Sequence, residues 1–370
     1  MDESLTRARE RFTAGIAAFE AGRLDEAAAL FEETLALAPG RPSVLANLGI
    51  TRVRLGQPAV ALPLLVQATA TAPDDLSAWF HLALAHGAVG DLPAALLVWD
   101  RVTQLAPGMA AAWEHRGTVL RELGRLSEAA TSFRRALELG ADPTVIGYYL
   151  AGVVGGPAPP AAPREYVAQL FDDYAADFGP HLVQALRYQA HERLIAALPA
   201  PGCWTAALDL GCGTGLVGAL LRPRARRLTG IDLSARMVER ARASGHYDRV
   251  QQADLLPWLE QTDERFDLVV AADVFIYVGA LDAVLAGVRR VLNAGGLLAF
   301  SVEVPAPDEV GDGSGLVLRP SLRYAHADAY LRPLARQHGF AVLRADDGPL
   351  REEQRRPVAG RYWVLQAPGD

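Results

Sequence analysis

Through the first 143 residues, small, apolar and polar positions recur in one fixed order at a spacing of 34 residues. Gly22, Gly56, Gly90 and Gly124 fall in register, as do Ala27, Ala61, Ala95 and Ala129. Pro39, Pro73 and Pro107 share it, and so do the large residues Phe31, Leu65, Trp99 and Phe133 and the small ones Gly15, Gly49, Ala83 and Gly117. A unit of this length holds two helices: the small residues let the pair approach closely, the large ones fill the groove between them, and the proline ends the unit. Each pair leaves an apolar face open, so at least three must stack to close a core. Residues 8–143 supply four. The fourth is atypical, with Arg116 where Leu48 and Leu82 stand earlier and Ala141 in place of the closing proline. Ile146 to Val154 predicts one more apolar helix, a cap or half-repeat on the fourth unit, so the helical domain is expected to span 1–154. The Pro, Gly and Ala run at 155–163 suits neither helix nor strand and predicts a semi-rigid linker.

Further on, the pattern changes to short apolar runs separated by helical stretches. Trp204 to Leu210 predicts a buried parallel strand, Leu216 to Leu221 the start of a helix, and Arg227 to Ile231 a second strand ending in Asp232. A third strand precedes Ala253, a fourth begins at Phe266, and a long helix near Leu281 to Leu292 leads to a fifth through Gly295 and Gly296. Phe340 to Leu343 and Tyr362 to Gln366 are two apolar runs with a polar, proline-containing connection between them, which predicts an antiparallel hairpin. The expected class is α plus α/β: a helical repeat stack, then a Rossmann-like seven-stranded domain over 164–370.

The turn after the first strand reads Asp209-Leu210-Gly211-Cys212-Gly213-Thr214-Gly215. Glycines there permit positive φ, let the backbone approach a ligand and leave helix N-terminal N–H groups free to donate. Asp232 closes the second strand, where a carboxylate can take both hydroxyls of a ribose. Gly213, Gly215 and Gly218 also satisfy the G-x-G-x-x-G pattern of NAD-binding folds. Two features separate these readings: Asp209, two residues before the first glycine, and the terminal hairpin, where an NAD fold continues with a parallel sixth strand.

On those residues the chain from roughly 164 to 370 resembles the class I S-adenosylmethionine (SAM) methyltransferases, and the front resembles tetratricopeptide (TPR) repeats. The combination is similar to bacterial methyltransferases fused to TPR repeats. The resemblance implies SAM as cofactor and S-adenosylhomocysteine as product, held by Asp209, Gly211, Cys212, Gly213 and Gly215, by Asp232 and Leu233, and by Met237 against the adenine face. It further implies Asp254 and Leu255 at the adenine edge and Ala272 at the turn after strand four. A leading helix, Tyr166 to Phe178, is expected to fold over SAM with Tyr166 or Tyr174 reaching its methionine end; the apolar stripe of an amphipathic helix is the other reading of Tyr174 and Phe178. Ligands enter open α/β sheets at the carboxyl ends of the strands. That selects Asp273, Tyr277, Glu303 and His326 as catalytic candidates, His326 within an Arg-Tyr-Ala-His segment shared with the fused enzymes, and His181 joins them.

The net charge of −7 and pI near 5.7 argue against a nucleic-acid surface, and the basic run Arg222, Arg224, Arg226 and Arg227 reads as a solvated turn. No apolar run long enough for a membrane span and no signal segment is seen, so a cytoplasmic protein is expected. Cys203 and Cys212 predict no structural disulfide, and the eight histidines form no metal-ligand spacing, so no catalytic metal is expected. His81, His86 and His115 fall on repeat helices as structural or groove-lining residues. The expected reaction is methyl transfer to an O, N or acid group of a small or peptidic metabolite, with the repeats assisting recognition or forming a homodimer. A protein or carrier-protein acceptor, and a repeat scaffold with a non-catalytic SAM module, are the alternatives; a protein partner in the repeat groove fits each.

Overall fold

In the computed structural model, residues 3–175, 187–199, 203–309, 313–353 and 356–369 are described. Their contacts divide the chain into two compact units, Met1–Ile146 and Gly147–Asp370.

The first unit is a series of helix pairs: α1 (Glu3–Glu20) with α2 (Leu24–Leu37), α3 (Pro42–Arg54) with α4 (Pro58–Thr71), α5 (Leu76–Ala88) with α6 (Leu92–Leu105), and α7 (Ala110–Glu122) with α8 (Leu126–Glu138). Why the repeat spacing works is visible at Gly15, Gly49 and Gly117. An added Cβ would lie 2.6 Å from Phe31, Leu65 and Phe133 respectively, so the large residue of each second helix occupies the space that its partner glycine leaves open. Gly22, Gly56, Gly90 and Gly124 turn the chain between paired helices at φ of +70° to +79°, a region that a side chain disfavours. Arg116, the polar departure in the fourth repeat, is satisfied in place: Nε donates to Asp100 at 2.7 Å and Nη1 to Ser132 Oγ at 2.7 Å.

The helix α9 (Pro143–Val154) straddles the division between units, and its second half packs within the second. Tyr148 is buried against Leu318, Leu322 and Tyr324, and its hydroxyl donates to Leu322 O at 2.7 Å. The expected linker is also tied to this unit. Pro160 O accepts from Ala280 N at 2.8 Å, Ala162 N donates to Tyr277 O at 3.0 Å, and Tyr324 Oη donates to Pro159 O at 2.7 Å.

One mixed sheet of nine strands organises the second unit, two more than the seven expected. The strands are β1 (Trp204–Leu210), β2 (Ala225–Asp232), β3 (Arg249–Gln252), β4 (Phe266–Ala271), β5 (Leu292–Glu303), β6 (Leu316–Leu318), β7 (Tyr324–His326), β8 (Ala341–Glu353) and β9 (Arg356–Gln366). The order β3-β2-β1-β4-β5 is parallel throughout, and β9 then pairs antiparallel with both β5 and β8. The additional strands β6 and β7 form a short antiparallel pair joined to the end of β5 through Glu303 and Ala325. Too short to announce themselves in the sequence, they place His326 at the end of a strand, two residues before the helix Asp328–Gln337. The hairpin strands run longer than expected. Register shifts between Val342 and Arg344 and between Pro349 and Glu352 let β8 continue through residues that read as a polar connection.

Alternate residues of the central strands feed two cores, one on each face. Leu208, Leu210, Val269, Ala271, Leu298 and Phe300 face one, and Ala207, Leu268, Val270, Leu297 and Ala299 the other. Burial on both faces explains why these strands appear as unbroken apolar runs.

Candidate active site

The parallel strands all end on one side, and there a cavity of about 760 Å³ opens. At its floor the chain leaves β1 through Gly211 and Gly213, at φ of +67° and +53°; Gly215, at +98°, lies outside the lining against Ser244 and Tyr247. An added Cβ on Gly211 would sit 2.6 Å from Val274, so only glycine lets the turn pass under the loop after β4. Gly218 serves packing: Tyr247 lies 2.4 Å from the position a Cβ there would take.

Asp232, at the end of β2, fixes this turn. Its Oδ2 accepts from Gly213 N at 2.8 Å and its Oδ1 from Ser234 N at 2.9 Å, while burial raises its pKa. Ser234 caps the next helix by accepting from Met237 N at 3.1 Å, and its hydroxyl donates to Asp172 at 2.5 Å. Asp172 belongs to α10 (Arg164–Tyr174), so this bond anchors the leading helix over the cavity. Val167, Phe171 and Tyr174 of α10 then line it.

The cavity brings together Gly211, Cys212, Gly213, Asp232, Leu233, Asp254, Leu255, Ala272, Tyr174 and Tyr277 from among the residues singled out in the sequence. Others lie apart from its lining. Asp209 is buried behind the turn, where its Oδ2 accepts from Tyr247 Oη at 2.6 Å, and burial pushes its pKa up to about 7. Met237 is buried beneath the helix that Ser234 caps. Tyr166 packs against Tyr148 and Tyr149, with ring centroids 5.7 Å away in each case. His181 and Phe178 lie outside the described residues.

His326 is wholly buried outside the cavity lining. Its Nε2 lies 3.0 Å from both Val278 O and Gly279 O; two carbonyls require an N–H there, so the ring clamps the loop that carries Tyr277. Burial lowers its pKa to about 4, which keeps the ring neutral.

Past Ala272 the cavity wall becomes ionic. Asp273 has a strained φ of +59°, held by donation from its N–H to Ser301 Oγ at 2.9 Å. Arg351 Nη1 donates to both Asp273 carboxylate oxygens, at 3.1 and 3.0 Å, its Nε donates to Glu353 at 2.9 Å, and its Nη2 pairs with Glu303. Glu303, 2% exposed, also takes Arg319. Glu303 therefore anchors two guanidiniums from behind, and it is Asp273, Arg351, Arg323 and Tyr277 that reach the cavity. Tyr277 meets Phe171 edge to face at 5.4 Å. Tyr188 and His191, stacked at 5.2 Å, also line the cavity.

Arg351, Arg323, Tyr188 and His191 were not selected from the sequence. Arg323 stands inside the Arg-Tyr-Ala-His segment that directed attention to His326. Arg351 carries no local signal, because its partners Asp273 and Glu303 lie 78 and 48 positions away.

A family model described as a methyltransferase domain matches residues 208–300, and two tetratricopeptide-repeat models match residues 18–86 and 82–145. Human methyltransferase-like protein 27 is 31% identical over 209 residues, covering 50% of this chain and 83% of its own length. A malonyl-[acyl-carrier protein] O-methyltransferase of Geobacter sulfurreducens is 33% identical over 170 residues, 44% of this chain and 59% of its own length. A trans-aconitate 2-methyltransferase of Paracidovorax citrulli is 31% identical over 166 residues, 40% of this chain and 63% of its own. The chain thus spans about three fifths of these two bacterial relatives. Among solved structures, the N-methyltransferase NodS of Bradyrhizobium japonicum with S-adenosylhomocysteine is similar at a TM-score of 0.45 and 20% identity, over 54% of this chain and 98% of that one. Helical repeats followed by an α/β methyltransferase domain are the class that fold and site define. The chain belongs to the SAM-dependent methyltransferase family.

Among the described residues no helix is long and apolar enough to cross a membrane.

Proposed function

We propose that this chain transfers the methyl group of SAM to a small or peptidic acceptor, and that both ligands share the cavity at the carboxyl ends of the strands. The observation that carries this is continuity. The same cavity joins the glycine turn, Asp232 and Asp254 to Asp273, Tyr277 and Arg323. The residues fit the cofactor: Gly211 and Gly213 would leave room at the turn for its methionine part, Asp232 would hold the ribose, and Asp254 with Leu255 would meet the adenine edge. Bound there, SAM supplies a methyl group on a sulfonium, a good leaving group for in-line displacement. The protein then contributes mainly position. Holding two reactants in line is worth on the order of 7–11 kcal/mol, and α10, anchored through Asp172, lines the cavity that would hold them.

A second reading has a carrier-bound or protein acceptor. The repeat unit favours it, since helix-pair stacks offer extended binding surfaces, and so does the relative that acts on malonyl-[acyl-carrier protein]. Labelled methyl from SAM, offered to a host-cell extract and then separated by size, tests both. Label among small molecules supports the first reading and label in macromolecules the second. No label, with SAM binding intact by calorimetry, would leave a repeat scaffold with a non-catalytic SAM module.

A further inference from the structure

We propose that the acceptor is a carboxylate, gripped by Arg323 at the end of the cavity, so that the product is a methyl ester. This rests on the methyl-transfer reading above and adds the acceptor's chemistry.

The relatives do not choose it, since the named activities include both O- and N-methylation. The choice comes from which polar groups at this end are already committed. Both Asp273 oxygens accept from Arg351. Glu303 is shared between Arg351 and Arg319, and Glu353 between Arg351 and Arg323. His326, the remaining candidate base on this side, is occupied as a donor to two carbonyls and lies outside the lining. Among the described residues, Asp273, Glu303 and Glu353 are thus each ion-paired with arginine.

The donors are a different matter. Arg323 lines the cavity, and among the described residues its one partner is Glu353, at Nη1. Its Nε and Nη2 carry N–H groups without such a partner, and neither is among the buried polar atoms sealed from solvent. Tyr277 lines the cavity together with this guanidinium. His191, 7% exposed, also lines the cavity; its Nδ1 is buried without a partner, and burial lowers its pKa. A neutral ring strands no donor if its proton sits on Nε2, which makes His191 a hydrogen-bond donor as well. A surface that offers a guanidinium fork, a phenol and an imidazole N–H, with its carboxylates neutralised, matches an anionic oxygen group. A carboxylate is also the acceptor that needs no base: an oxygen lone pair attacks the methyl carbon, the carbon–sulfur bond breaks with its electrons going to sulfur, and the sulfonium and carboxylate charges cancel without proton transfer.

Methyl esters release methanol in mild alkali, whereas methyl ethers and N-methyl groups do not. The full chain is therefore incubated with methyl-labelled SAM and the small-molecule and macromolecular fractions of a host-cell extract, and volatile label is counted after alkali. Label released as methanol is expected. Arg323→Met should lower that transfer about 10- to 150-fold, the range for losing hydrogen bonds to a charged group, with SAM affinity by calorimetry retained. Arg323→Lys should restore part of it, keeping the charge without the fork. Alkali-stable label would overturn the carboxylate assignment and leave methyl transfer standing. Absence of label with SAM bound would overturn methyl transfer itself. Volatile label undiminished in Arg323→Met would overturn Arg323 as its holder.

Discussion

Each unit is closed internally by contacts that span very different distances along the chain. In the repeats, Gly15 meets Phe31, Gly49 meets Leu65 and Gly117 meets Phe133, each pair sixteen positions apart. In the second unit the decisive contacts join Arg351 to Asp273 across 78 positions, Tyr324 to Pro159 across 165 and Tyr148 to Leu322 across 174. Locally closed units absorb departures locally: Arg116 finds Asp100 and Ser132 and the helix pair is kept. A network closed over long separations transmits any change to whatever shares it. Here that is the cavity wall.

The largest break in this contrast is expected from Glu303→Gln. It leaves Arg351 and Arg319 short of their buried partner, and one-sided loss of a buried ion pair costs about 3–5 kcal/mol. Hydrogen exchange resolved by residue should show the loss in the second unit, with the repeats unmoved; equal loss in both would end the claim that the repeats close locally. Asp232→Ala should weaken SAM binding by about 1.5–3 kcal/mol, the value of hydrogen bonds to a charged group, and an unchanged dissociation constant would remove Asp232 from the site. The converse experiment is Gly117→Val, which forces atoms against Phe133 and should destabilise the repeats by about 1–3 kcal/mol through overpacking. SAM affinity should not change.

A pH series sharpens the comparison further. Burial depresses the His326 pKa to about 4 from an ordinary 6.5, so the folded state favours the neutral ring. Its contribution is full above pH 6.5 and is lost as pH falls toward 4, at up to about 1.4 kcal/mol per pH unit. The stability difference between wild type and His326→Gln should therefore shrink over that window and be flat above it. A difference constant from neutral pH down would show that His326 is not held neutral. The smallest effect is expected at a helix start. Asp75 caps α5 by accepting from Ala78 N at 3.0 Å, and Asp75→Ala should lower the melting temperature through a loss of about 1 kcal/mol, measurable by calorimetry without change in methyl transfer.

Much of the glycine-turn end of the cavity was legible. Gly211, Gly213 and Asp232 lie within one strand–turn–strand stretch, where spacing alone dictates which backbone meets which carboxylate. Asp209 shows the limit of such a motif: the sequence marks it as special, yet its side chain turns away from the cavity toward Tyr247. His326 shows another. A histidine in a distinctive segment invites a catalytic role, and only the positions of Val278 O and Gly279 O reveal what its Nε2 does.

The sequence by itself determined the helix pairs, the parallel strands with their glycine turn, and the terminal hairpin. Each follows from contacts between near neighbours or from a periodicity that must match a helix or a strand. The tertiary structure alone decided the ionic end of the cavity. Whether Arg351 faces Asp273, and whether Arg323 keeps open donors, depends on β8 and β9 folding back beside β5 and on β6 and β7 extending its end. Those pairings are selected by burial and charge across the whole sheet, and no short window of sequence contains both partners.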